Sequence, residues 1–177
     1  MTARWPIAVV SGALFLAVSA CGGGSDSSTD PSGSGGSGSS ALCSAFGATG
    51  IVASGTLTAN IDGASFKAVC IVFNTTVGNA FGLGGVDGFT GNFKNFAFGT
   101  DKSVGTHTVG LGSVTNAGLI IGTSGWHANS ATGSGSVTIT TLTAHNAVGT
   151  FTFSLPAQGP PATGTKSITN GSFNVTF

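Results

Sequence analysis

The chain has no tyrosine and no glutamate, and only 6% of its 177 residues are charged. An average chain carries about 25% charged residues. Five basic and five acidic side chains cancel to a formal charge of zero. That balance removes the electrostatic basis for a nucleic-acid partner or a polybasic membrane contact. Carboxylates are scarce where a fold could use them: beyond residue 40 only Asp62, Asp87 and Asp101 remain. Hydrolysis by general acid and base needs two carboxylates with separated proton affinities, and Asp87 with Asp101 is the one pair available. Asp62-Gly63 and Asp87-Gly88 already read as turn pairs. No C-x-x-C, H-E-x-x-H or G-x-S-x-G occurs. His107, His127 and His145 stand too far apart for a local metal motif and read as solvated or locally hydrogen-bonded. The expectation is a non-enzyme without cofactor or metal.

Glycine and phenylalanine are what the chain does have, 31 and 13 of them. Their distribution divides it in three. Arg4 opens a short apolar run from Trp5 to Val18 that closes on Val18-Ser19-Ala20-Cys21. A run this short, ending on small residues, reads as a secretory signal over residues 1–20 and not as a spanning helix. Residues 22–40 hold 7 glycines and 8 serines among 19 positions, a composition that cannot offset its chain entropy by burial. With Cys21 they form a flexible tether, residues 21–40. Within it Gly33 to Gly38 matches G-x-G-x-x-G, but neither a strand before it nor a helix after it supports a dinucleotide site. Residues 41–177 carry 12 of the 13 phenylalanines, enough large apolar side chains for one core.

Val18 to Cys21 resembles the lipobox of bacterial lipoproteins. The resemblance implies a diacylglyceryl group on the Cys21 thiol, cleavage of the leader before Cys21, and acylation of the new amino terminus. Two or more acyl chains anchor stably where one does not. The implied partner is membrane lipid, and Gly22 in place of the aspartate of inner-membrane retention implies the outer membrane.

The third part alternates with a period of two, and no window repeats apolar residues at helical spacing. Leu57, Ala59 and Ile61 alternate with polar residues up to Asp62-Gly63, a type I′ hairpin signal. Phe66 to Phe73 reads as the return strand. Further strands are expected around Phe81 and Leu83, Phe96 and Phe98, Leu119 to Ile121, Trp126 to Asn129, Val137 to Thr140, and Phe151 to Leu155. A last one, Phe173 to Phe177, follows an Asn170-Gly171 turn. Eight or nine short strands predict an antiparallel sandwich or a small closed barrel. Threonines on their outward positions fit a half-solvated sheet.

With Cys21 acylated, Cys43 and Cys70 are left as an even pair in an oxidising compartment, and a disulfide is the simplest reading. The lone mature tryptophan, Trp126, and its neighbour His127 are the candidate ligand contacts, Trp126 because an exposed indole can stack on a sugar face.

Ala59 to Phe66, Val104 to His107, Gly135 to Ile139 and Gly149 to Phe153 together resemble an uncharacterised family of small bacterial lipoproteins. The likeness lies in an A-x-I-D-G-x-x-F hairpin, a G-T-F-x-F strand and a closing G-x-F-x-V strand. It implies an all-β envelope domain and carries no activity with it. Composition and resemblance lead to a tethered, non-catalytic binding module with an envelope protein or glycan as partner. The alternative is a carrier of a small apolar ligand or lipid inside a closed barrel.

Overall fold

A computed structural model describes Cys43, residues 50–75 and residues 79–177. The leader, Cys21 and the tether lie outside the described residues. What is described is all-β, eleven strands in one antiparallel sheet curled into a half-barrel. In chain order they are β1 (Ile51–Ile61), β2 (Ala64–Lys67), β3 (Cys70–Thr75), β4 (Ala80–Val86), β5 (Lys94–Asp101), β6 (Gly105–Thr108), β7 (Asn116–Ile121), β8 (Ser124–Ala128), β9 (Ser134–Leu142), β10 (Asn146–Pro156) and β11 (Thr165–Thr176). Across the sheet the order runs β6-β9-β10-β11-β1-β3-β4-β5-β7-β8, with β2 beside β1 off this path.

The long strand β1 joins the two halves. Its first residues, Ile51 to Ala53, pair with β3, while Ser54 to Ile61 pair with β11. Just past the change of partner sits Gly55 at φ +117°, opposite Val175 of β11, where an added Cβ would run into the Asn174 carbonyl oxygen. Only glycine accepts both that dihedral and that approach, so the strand can bend from one half into the other. Asp62 and Gly63, at φ 50° and 82°, close the β1–β2 hairpin in the left-handed conformations that a type I′ turn requires.

Curling brings the phenylalanines face to face. Phe96 and Phe98 on β5 meet Phe151 on β10 at ring-centroid distances of 5.2 and 5.1 Å, and Phe98 meets Phe173 on β11 at 5.6 Å. All four rings are buried, as are Phe66, Phe73 and Phe81. The core is therefore a continuous aromatic layer between the two halves, built from the inward positions of strands that alternate in sequence.

Three expectations change. The eight or nine strands expected are eleven, because short partners such as β2 and β6 carry too few residues to show an alternation of their own. The single run Phe66 to Phe73 is two strands, because Ala68 N–H bonds back to Leu57 on β1 while Val69 N–H turns to Val86 on β4. Asn170-Gly171 is not a turn between strands. It is a bulge inside β11, with Asn170 at φ 51° and the register against β10 shifting between Phe151 and Phe153.

Cys43 and Cys70 are bonded, with an S–S distance of 2.09 Å and Cα atoms 5.5 Å apart. Together with Val86 they form a small buried cluster backed by Val52, Val72, Phe89 and Phe93.

Candidate functional site

Half of the sheet shows solvent a face made almost entirely of hydroxyl side chains. Strand alternation sends Val137 and Ile139 of β9, Phe151 and Phe153 of β10, and Phe173 and Val175 of β11 into the core. Their neighbours Ser136, Thr138, Thr150, Thr152, Ser172 and Asn174 must then point outward. Register aligns these positions into rows. Thr106, Thr138, Thr150, Ser172 and Thr58 stand directly opposite one another on five consecutive strands. Beside them runs a shorter row, Thr108, Ser136 and Thr152. Lys67 on β2 ends the long row.

The ends of the long row are tied and its centre is open. Thr106 Oγ1 and Thr138 Oγ1 share a hydrogen bond of 2.9 Å, as do Thr58 Oγ1 and Ser172 Oγ. Among the described residues, the side chains of Ser136, Thr150, Thr152 and Asn170 have no protein hydrogen-bond partner. These four surround an open, shallow trough of about 370 Å³, completed by Thr138 and Ser172 and floored by Phe151 and Gly171. None of its lining residues is charged. Each hydroxyl offers one donor and two acceptor positions, and the Asn170 amide offers both kinds. The trough can therefore give and accept hydrogen bonds with a neutral polar molecule.

The tryptophan and histidine singled out by sequence are placed apart from this face and from each other. Trp126 is 7% exposed; its Nε1–H donates to the Thr163 carbonyl oxygen at 3.1 Å, and Lys166 Nζ stands 5.1 Å from its ring centroid. Its side chain is thus packed under the 157–164 connection, which also bonds along β8 through Ala157 and Gln158. His127, the next residue on β8, necessarily faces the other way. Its Nδ1 accepts from Asn129 Nδ2 at 3.2 Å, and burial holds its pKa below the ordinary histidine value. The Lys166 ammonium also meets Asp62 Oδ2 at 2.7 Å, and that bond, with the Ser167 N–H, pulls the Asp62 carboxyl below its usual range.

The structure does bring one histidine to a carboxylate. His107 Nδ1 lies 3.4 Å from Asp101 Oδ2, and Ser103 Oγ lies 3.5 Å from His107 Nε2. The order Ser, His, Asp is that of a nucleophile relay, but the bonding is not. Nε2 is 2.8 Å from the Ser103 carbonyl oxygen, which can only accept, so Nε2 carries the proton and has no lone pair to receive one from Oγ. The three residues clip the β5–β6 connection. Asp87, on the β4–β5 connection, is engaged by Lys94 through its backbone N–H and its ammonium. Among the described residues no group of three His, Cys, Asp or Glu side chains could hold a metal.

No protein-family model, curated protein or solved structure matches this chain.

Sequence marked the outward threonines strand by strand and stopped there. T-L-T, T-H-T, T-I-T and T-F-T are each visible as short alternations, but nothing in one strand says which residue will stand opposite it. Register, with its shifts between Thr58 and Asn60 on β1 and between Phe151 and Phe153 on β10, makes the row.

Proposed function

We propose that the protein is a lipid-anchored component of a bacterial envelope, held by acyl groups on Cys21, and that its all-β domain is a non-catalytic binding module. The lipobox-like Val18 to Cys21 and the Gly/Ser-rich residues 22–40 support the tethered placement, at the outer membrane where the cell has one. One observation carries the binding reading: a row of aligned hydroxyls whose uncharged centre presents side chains with no protein partner. The carrier alternative is disfavoured by the interior, where rings from facing strands stand 5.1–5.6 Å apart in the space a ligand would need.

Sedimentation tests both halves of the proposal. The wild-type chain should pellet with membranes, and Cys21→Ser should release it. The released protein should still pellet with delipidated envelope material, and adding T150K and T152K should leave it in the supernatant. A Cys21→Ser protein with no affinity for that material would sink the binding reading; an unmodified Cys21 thiol in the mature chain would sink the anchor.

A further inference from the structure

We infer that the trough over β9, β10 and β11 takes a segment of a neutral polysaccharide lying across the strands; the inference rests on the binding-module reading above. Four features of the face select that chemistry. Its lining is uncharged, so an anionic polymer would give up hydration there without gaining a counter-charge. Its side chains both donate and accept, as sugar hydroxyls do, so every hydroxyl of a sugar can find a complement whichever way it points. Each threonine sets a methyl group beside its hydroxyl, which suits a ring surface where C–H patches alternate with polar groups. And the row continues past the trough, to Thr106 on one side and Thr58 on the other. A ligand that outruns the trough keeps meeting hydroxyls, which favours a polymer over a single sugar.

Spacing points the same way. Neighbouring strands stand about 4.7–4.9 Å apart, and outward residues along one strand about 6.6–6.8 Å. The face thus repeats its hydrogen-bonding groups at intervals on the scale of one sugar ring. It has no aromatic platform, because the rings of β10 and β11 point into the core. Binding must come from many weak contacts in register, and a short oligosaccharide should bind far more weakly than the polymer.

Native gels cast with xyloglucan, galactomannan, laminarin or dextran, with the full chain in nonionic detergent, test this directly. At least one of these neutral polymers should retard the protein, and alginate should not. T138V/T150V/T152V keeps the β-branched shape and removes three hydroxyls, and it should weaken the apparent affinity by about tenfold or more. Thr123→Val in the β7–β8 turn, outside the trough, should hold wild-type retardation. Equal retardation of the triple variant and the wild type would overturn the inference. So would no retardation by any neutral polymer; if pelleting with envelope material persists, the binding-module reading survives that failure. Retardation confined to alginate would overturn it in favour of an anionic ligand. Inhibition of ice recrystallisation lost in the triple variant, with no polymer bound, would assign the rows to an ice surface instead.

Discussion

Gly149 has no room for a side chain. It faces the core from β10, and an added Cβ would press on the Thr138 carbonyl oxygen and come within 2.5 Å of the Phe173 ring. Thr138 is the partner of Thr150 in the hydroxyl row, so the same close approach that packs the core also brings β9 and β10 together beneath the trough. Gly149→Ala should destabilise the fold by about 1–3 kcal/mol, the usual cost of overpacking a filled site. Gly125, where a Cβ meets nothing within 4 Å, supplies the control: Gly125→Ala should be close to neutral. Urea unfolding separates them, the midpoint falling for Gly149→Ala at unchanged slope. A midpoint unmoved by Gly149→Ala would mean that β9 and β10 can part without cost.

At the scale of elements, the β7–β8 hairpin carries the pH dependence. His127 stands on β8 with its pKa lowered by burial, so between its folded value and the ordinary value near 6.5 the unfolded chain binds a proton that the folded chain resists. Stability is therefore complete above about pH 6.5 and declines as pH falls through the folded pKa. His127→Gln keeps a polar group on β8 and removes the titration. Its thermal midpoint should change less than that of the wild type between about pH 7 and about pH 5, and identical profiles would remove His127 from the account. How far such elements were legible depended on what defines them. Alternation marked β10 and β11 through Phe151, Phe153, Phe173 and Val175, and Asp62-Gly63 marked its turn by residue chemistry alone. Asn170-Gly171 carries the same chemistry and makes a bulge, because β11 continues along both β10 and β1 on either side of it. The break at Ala68-Val69 has no local signal, since it comes from two different strands claiming successive N–H groups.

For the whole molecule, the question is what fixes the start of the chain to the sheet. Among the described residues Cys43 is held by its bond to Cys70 on β3, the strand next to β1 on the side away from the hydroxyl face. If the chain is anchored at Cys21, any pull on the tether reaches the domain through this bond before it reaches β1, the strand that joins the two halves. The bond spans 27 positions, and closing a loop of that length stabilises by about 3–4 kcal/mol in the chain-entropy model. Cys43→Ser/Cys70→Ser should therefore lower the unfolding free energy by about that amount. The urea slope should rise at the same time, because the denatured chain, freed of its loop, exposes more surface. A fall in stability without a change in slope would mean that the loss comes from the buried Cys43, Cys70 and Val86 cluster instead of from the closed loop. Binding to neutral polymer separates the two halves of the fold. Because the hydroxyl rows are built by β6, β9, β10, β11 and the later part of β1, the double variant should keep the wild-type affinity wherever it remains folded. Loss of affinity in the folded double variant would show that the disulfide-bonded half sets the register of the face across β1.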